Sequence, residues 1–136
     1  MVYYDANVFV YAYVEARGNA LGDAGRGWLA KARKGKVAVS TSALTWDEVV
    51  WAVRKIAGPE ASGRASREFI ELPNLQLVSA DRDIVERAHR LMGDCGLKPR
   101  DAVHAASALD LGERDFVSSD SDFDRVPGLK RIPLVD

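Results

Sequence analysis

Four acidic residues of this 136-residue chain lie far apart in the sequence, yet together they could form one cation site: Asp5, Glu48, Asp101 and Asp120. Carboxylate oxygens are ligands for Mg²⁺ or Mn²⁺, whereas zinc prefers nitrogen and sulfur. Two such charges ~4 Å apart repel by ~4 kcal/mol at an effective dielectric of ~20, so a cluster must take up protons or bind a cation. A bound divalent ion activates water and neutralises charge that develops on a phosphate. These residue types therefore indicate metal-assisted hydrolysis at phosphorus, provided that the fold gathers them.

The spacing of apolar residues predicts short strands that alternate with helices along the whole chain. The predicted strands are Val2–Asp5, Val37–Ser40, Leu75–Val78, Asp115–Ser118 and Lys130–Pro133. The predicted helices are Arg26–Lys34, Ser42–Ala57, Glu60–Leu72, Asp81–Met92 and Pro99–Leu109. This alternation is typical of an α/β fold with a parallel sheet covered on both faces. We find no linker or repeat and expect a single domain over residues 1–136.

The predicted elements could bring the four acidic residues to one edge of the sheet. Asp5 and Asp120 each follow a strand, and sites in parallel sheets form beyond the carboxyl ends of strands where the strand order reverses. If the first and fourth strands are neighbours, these two carboxylates meet. Glu48 and Asp101 lie near helix starts, and each helix starts where a strand stops.

Each of the four residues also has a purely structural explanation. Asp5 suits a turn or a helix N-cap. Asp101 in a first helical turn favours the helix dipole by ~0.3–1 kcal/mol. Glu48 could be a solvated helix residue, with Asp47 beside it as a competing candidate. Asp120 lies in the segment SSDSDFD, which also fits a capping loop.

The segment Val8–Val14 is difficult to assign from local signals. Its sequence VFVYAYV is rich in β-branched and aromatic residues, which favours a strand. A hairpin turning at residues 5–7 would be compatible with that preference.

The composition excludes several classes of protein. Apolar residues make up 47% and charged residues 29% of the chain, which is typical of a globular domain and not of a disordered one. The net charge of −1 excludes a strongly basic nucleic-acid coat. The uncharged run from Ala6 to Val14 is shorter than the ~20 residues of a membrane span. With no signal-peptide pattern and one cysteine, Cys95, we expect a reducing, cytoplasmic location.

Four motifs in order along the chain carry a family resemblance: DANVFVYA, TWDEVVWAV, RDAVHAASAL and VSSDSDF. Together they resemble the PIN domain family of metal-dependent ribonucleases, many of which are the toxins of VapBC toxin–antitoxin pairs. The resemblance implies a three-layer α/β/α Rossmann-like fold with a parallel five-stranded sheet. It also implies that Val8–Val14 is a helix, against its local propensity.

The resemblance assigns roles to individual residues. Asp5, Glu48, Asp101 and Asp120 match the catalytic acidic residues that bind one or two Mg²⁺ or Mn²⁺ ions, and Asp122 is an additional acidic ligand candidate. Asn7 and Ser118 match supporting positions, with serine where threonine is commoner. The implied activity is an endoribonuclease that hydrolyses RNA with metal-activated water and leaves 5′-phosphate and 3′-hydroxyl ends. The implied partners are RNA, a VapB-like antitoxin and a second copy in a homodimer.

Other residues have competing interpretations. A basic rim beside the cleft could bind the RNA backbone, and its candidates are Arg17, Lys31, Arg33, Lys34 and Lys36; the alternative is a solvated helix end. His104 is a candidate base three residues after Asp101, or else a hydrogen-bonded histidine in a packed helix. Trp46 and Trp51 are expected in the core, with contact to a partner as the alternative. His89 and Cys95 are expected to have no catalytic role.

Alternative functions remain open from the sequence. A catalytically silent RNA-binding module would keep the fold without turnover, and an RNA-processing nuclease would act without an antitoxin. A phospho-receiver domain has a similar length and sheet type, with Asp81 as the acceptor. That class needs an acidic pair after the first strand, but only Asp5 is present there.

Overall fold

The computed structural model describes residues 1–135, so Asp136, the last residue of the expected domain, lies outside it. Five parallel strands form one sheet in the order β3-β2-β1-β4-β5. The strands are β1 (Val2–Tyr4), β2 (Val39–Ser42), β3 (Leu75–Val78), β4 (Asp115–Val117) and β5 (Lys130–Ile132). β1 is central and pairs with both β2 and β4, so the first and fourth strands are neighbours, the condition under which Asp5 and Asp120 were expected to meet. The strand order therefore reverses at β1, where the carboxyl ends of β1 and β4 meet.

Helices cover both faces of the sheet. They are α1 (Ala6–Val14), α2 (Ala20–Arg33), α3 (Ala43–Ile70), α4 (Arg82–Cys95) and α5 (Pro99–Asp110), with a short 3-10 helix at Ser121–Arg125. Tyr4 and Val117 pack into one hydrophobic cluster with α1, α2 and α3, whereas Tyr3 and Phe116 pack into a second cluster with α4 and α5. Because neighbouring strand residues point to opposite faces, both faces are buried and the fold is a three-layer α/β/α sandwich.

The segment Val8–Val14 lies in helix α1, as the family resemblance implies and against its strand propensity. Asp5 caps the helix through a hydrogen bond from the Ala6 backbone N–H to Oδ1, at 2.7 Å. α1 packs closely on α2 at Gly25, where an added Cβ would lie 2.6 Å from the Val8 carbonyl oxygen. Burial between α2 and α3 therefore overrides the local preference.

Some boundaries differ from the predicted ones. α2 begins at Ala20 instead of Arg26, because the Asn19 side chain caps it and its glycines allow close contact with α1. β2 is two residues later than predicted. The two helices predicted on either side of Gly58 are confirmed, since α3 is interrupted by non-helical backbone at Gly58, whose φ is 89°. Within residues 1–135, no helix is both long and apolar enough to cross a membrane.

Candidate active site

Ser118 joins the carboxyl ends of β1 and β4. Its buried hydroxyl donates a hydrogen bond to Asp5 Oδ2 at 2.6 Å. The same Oγ accepts hydrogen bonds from Asn7 Nδ2 at 3.2 Å and from the Asp120 backbone N–H at 3.0 Å. One hydroxyl therefore fixes the first strand end, the start of α1 and the loop that carries Asp120.

Asp5 is held in a buried position directly after β1. Only 5% of the residue is exposed, and its backbone N–H donates to the Val117 carbonyl at 3.0 Å. Burial raises the pKa of the Asp5 carboxyl, whereas the nearby His104 and the Ser118 hydrogen bond oppose that rise. Asp5 is thus a carboxylate whose charge the surrounding side chains partly compensate.

Glu48 reaches the same place from α3 and contacts His104 of α5. Glu48 Oε1 lies 2.6 Å from His104 Nε2, and His104 Nδ1 lies 2.7 Å from the Tyr3 hydroxyl. The Tyr3 hydroxyl also accepts a hydrogen bond from the Ser42 backbone N–H at 3.0 Å. Both ring nitrogens of the buried imidazole are therefore engaged, and the ring fixes the orientation of Glu48. We call Tyr3, Asp5, Glu48, His104 and Ser118 the inner network.

Burial alone would lower the pKa of His104, but the Glu48 hydrogen bond and the charges of Asp5 and Glu48 outweigh it, so the pKa is raised. The His104 Nε2 lies 3.6 Å from Asp5 Oδ1 as well. His104 is fully buried, which agrees with the hydrogen-bonded histidine of a packed helix and not with a base that meets substrate.

Three further carboxylates, which we call the outer triad, lie beside the inner network. Asp101, Asp120 and Asp122 each offer an oxygen, and these oxygens all lie within 4.8 Å of one another. Asp101 lies in the first turn of α5, whose start is fixed by Pro99. Asp120 caps the 3-10 helix by accepting a hydrogen bond from the Asp122 N–H at 2.9 Å. All three side chains are partly exposed, so solvent and ligands can reach them.

The outer triad fits a hard divalent cation. Oxygens on opposite sides of an octahedral Mg²⁺ are about 4.2 Å apart, so oxygens within 4.8 Å of one another need to move by only about half an ångström to share one ion. Burial, together with the charges of Asp5 and Asp120, raises the pKa of Asp101 to about 6. With this pKa, the Asp101 carboxyl is mostly ionised at neutral pH, so a bound cation would offset the repulsion among these carboxylates.

The family model of the PIN domain matches residues 2–129 of this chain. The chain belongs to the PIN domain family. A comparison with curated proteins found no match.

Solved structures share the PIN fold over nearly the whole chain. VapC20 of Mycobacterium tuberculosis, a toxin that cleaves the sarcin–ricin loop, is 19% identical with a TM-score of 0.74, over 91% of this chain and 93% of its own. VapBC2 of Rickettsia felis, bound to promoter DNA, is 20% identical with a TM-score of 0.73, over 98% of both chains. A toxin–antitoxin complex of Klebsiella pneumoniae is 21% identical with a TM-score of 0.68, over 96% of both chains. At these identities the likeness establishes the fold.

The structure of this PIN domain gathers the acidic residues that the sequence singled out, but in two groups. Asp101 and Asp120 join Asp122 in the outer triad, while Asp5 and Glu48 belong to the inner network. Asp47, the competing candidate for Glu48, is exposed. Asn7 Nδ2 donates to the hydroxyls of Ser118 and Ser119, which is the supporting geometry expected of it.

The predicted basic rim does not lie beside the acidic cleft. The segment 31–36 precedes β2, and the Ala32 carbonyl accepts a hydrogen bond from Asn74 at the amino end of β3. Lys31, Arg33, Lys34 and Lys36 are therefore at the edge of the sheet opposite the carboxyl ends of the strands. Arg17 follows the carboxyl end of α1, about 13 Å along the helix from its start at the cleft. Sequence proximity to a helix end does not specify which edge of the sheet that end occupies.

Other predictions outside the acidic residues can also be compared with the structure. Trp46 and Trp51 are 41% and 52% exposed, so the expectation that they pack in the core is wrong. Asp81, the acceptor in the phospho-receiver alternative, caps α4 by accepting the Ile84 N–H at 3.1 Å. Cys95 is a partly buried free thiol at the end of α4.

Two residues of the cleft had no signal that we used in the sequence. From the sequence, Tyr3 was predicted only as a residue of the first strand, yet its hydroxyl forms a hydrogen bond with His104 of α5. Arg100 was adjacent to Asp101 in the motif RDAVHAASAL, and it lines a cavity together with Asn7 and Glu48. Only the spatial meeting of α1, α3 and α5 shows these connections.

Proposed function

We propose that this PIN domain is a Mg²⁺- or Mn²⁺-dependent endoribonuclease and the toxin of a toxin–antitoxin pair. The observation that carries the proposal is the outer triad, whose three carboxylate oxygens lie within 4.8 Å at the carboxyl edge of a PIN fold. An RNA substrate is supported by the shared fold of a toxin that cleaves the sarcin–ricin loop.

Asp101, Asp120 and Asp122 would hold the ion, and Asp5 and Glu48 would extend the acidic surface toward a second ion. When bound, the ion supplies an activated water and offsets negative charge on the phosphate. The chain itself supplies orientation. Ser118 holds Asp5 through a 2.6 Å hydrogen bond, and His104 holds Glu48 at the same distance. These contacts place the carboxylates before any substrate arrives, which lowers the cost of reorganisation during the reaction.

The proposed partners follow from the same comparisons. Structures of similar fold contain toxin–antitoxin complexes, which supports a VapB-like antitoxin for this chain. We further propose a homodimer, which light scattering on a size-exclusion column would detect at micromolar concentration. An RNA substrate and a single cysteine both agree with a cytoplasmic location.

Cleavage of single-stranded RNA and tRNA with Mg²⁺ or Mn²⁺, in the presence and absence of EDTA, tests the activity. Asp101→Asn and Asp120→Asn should each reduce the cleavage rate at least about 100-fold, because each removes a carboxylate ligand of the ion that activates water and offsets charge on the phosphate. Asp83→Asn, in the first turn of α4 and exposed, is the matched control and should cleave like the wild type. Sequencing of the products should find 5′-phosphate and 3′-hydroxyl ends.

Three outcomes would contradict different parts of the proposal. Cleavage that EDTA does not inhibit would reject metal dependence. RNA that binds but is not cut with either ion would support the catalytically silent RNA-binding module. Cleavage that no co-expressed antitoxin inhibits would leave the nuclease in place and favour an RNA-processing role.

A further inference from the structure

A cavity of about 280 Å³ adjoins the inner network on the side of α3. It lies between α1, α3 and the first turn of α5, and Asn7 and Glu48 form the wall nearest the acidic cleft. Its volume is close to the lower end of the range for small-molecule sites, about 300 Å³. A group of nucleotide size could therefore lie next to the carboxylates.

One aromatic side chain provides an open surface in this cavity. Trp51 is 52% exposed, although tryptophan is highly buried on average. It follows Glu48 by three residues on α3, and Lys55 follows it by four, so all three share one helix face. That face runs about 10 Å from the cleft. Aromatic side chains at such positions stack on nucleic-acid bases of any sequence.

Two cations complete the lining. Lys55 Nζ lies 5.7 Å from the centre of the Trp51 ring, and the exposed Arg100 precedes Asp101 of the outer triad. Among residues 1–135, neither cation forms an ion pair, although Asp47 and Glu48 line the same cavity. Both charges are therefore available to phosphates of a strand that enters the cleft.

We propose that this cavity is a nucleotide subsite for single-stranded RNA. Trp51 stacks on the base of a nucleotide next to the cleaved bond, and Lys55 and Arg100 contact the flanking phosphates. The proposal rests on the proposed function only in taking RNA as the substrate. The chain has a net charge of −1, and its basic segment lies at the opposite edge of the sheet. The subsite would therefore supply the cations that RNA needs beside the cleft. Because two cations line the cavity together with Trp51 and Tyr11, it suits a base and its phosphates better than an apolar peptide segment.

Fluorescence anisotropy of a labelled single-stranded RNA of about 12 nucleotides, in EDTA and at increasing KCl concentration, tests the subsite separately from cleavage. Trp51→Ala should weaken binding about 5- to 100-fold without changing the slope of log affinity against log salt. Trp51→Phe should retain most of the affinity. Lys55→Ala and Arg100→Ala should each reduce that slope by ~0.7, the value for one lost phosphate contact on a single strand.

Matched controls use residues of the same type away from the cavity. Trp46→Ala, a half-exposed indole on the same helix, and Lys34→Ala, on the opposite edge, should leave affinity and slope unchanged. Thermal melting followed by circular dichroism checks that each variant folds. A wild-type chain that binds no RNA, or a Trp51→Ala variant with unchanged affinity, would overturn the proposal. Unchanged RNA affinity with loss of the homodimer in Trp51→Ala would also overturn it, since the face would then belong to a protein partner.

Discussion

The inner network and the outer triad contain similar carboxylates in contrasting surroundings. Asp5 accepts hydrogen bonds from Ser118 and the Ala6 N–H, and Glu48 contacts His104. Asp101, in contrast, faces the charges of Asp5, Asp120 and Asp122, which with burial raise its pKa to about 6. Hydrogen bonds and His104 partly compensate the inner Asp5, although burial still raises its pKa, whereas the outer Asp101 faces several like charges. Under the proposed function, the outer triad would bind the first ion, and the inner network would hold Asp5 and Glu48 in position beside it.

The largest expected effect on stability comes from the inner network. His104→Ala leaves a cavity and removes the partners of the buried Tyr3 hydroxyl and of Glu48. We expect a loss of about 2–5 kcal/mol in the free energy of unfolding, measured by urea denaturation. His89→Ala, on the exposed face of α4, is the control and should change stability by less than about 0.5 kcal/mol. If the two variants were equally stable, His104 would not support Glu48 as described.

The architecture of this chain could be predicted from local patterns, because alternating apolar segments and strand-end aspartates determine a parallel sheet. Helix α1 could not be predicted from local patterns, because the segment VFVYAYV favours a strand and becomes a helix only through burial against α2 and α3. Local patterns also could not predict the position of the segment 31–36, because it depends on which edge of the sheet the end of α2 occupies.

The members of the acidic cleft were predictable from their residue types and motif order, but their grouping was not. Asp122 was expected as an accessory residue, yet its oxygen lies within 4.8 Å of those of Asp101 and Asp120. The contact of Tyr3 with His104 joins residues 101 positions apart, and a hydroxyl in a strand gives no sequence signal for such a contact. Long-range side-chain geometry therefore determines the division into two halves.

An intermediate effect concerns the pH dependence of the metal-free protein. The pKa of Asp101 rises from 3.8 to about 6 on folding. Folding also raises the pKa values of Asp5 and His104. The folded state therefore binds more protons than the unfolded state between about pH 4 and neutrality, and stability falls as the pH rises through this window. In EDTA we expect a Tm several degrees lower at about pH 8 than at about pH 5.

Adding Mg²⁺ to the same melting experiment tests whether the outer triad binds the ion. An ion at the outer triad replaces the protons, so Mg²⁺ should raise the Tm more at about pH 8 than at about pH 5. Asp23 and Asp124 have lowered pKa values through their arginine partners, and they titrate below this window. A Tm in EDTA that increased from about pH 5 to about pH 8 would contradict the proton count.

The smallest expected effect isolates the charge of the outer triad. Asp101 and Asp83 both lie in the first turn of a helix, where the dipole favours a negative charge by ~0.3–1 kcal/mol. Asp83→Asn should therefore slightly destabilise the metal-free protein. Asp101→Asn should stabilise the metal-free protein at about pH 8, because it relieves the repulsion from Asp5 and Asp120. We expect a gain of less than about 1 kcal/mol in the free energy of unfolding, because water screens a partly exposed carboxylate. The same variant should lose most of the Mg²⁺-dependent rise in Tm. Urea denaturation in EDTA measures the change in stability, and thermal melting with Mg²⁺ measures the loss of the metal-dependent rise in Tm. If Asp83→Asn and Asp101→Asn both destabilised the metal-free protein, Asp101 would be a helix-capping charge and not part of an ion site.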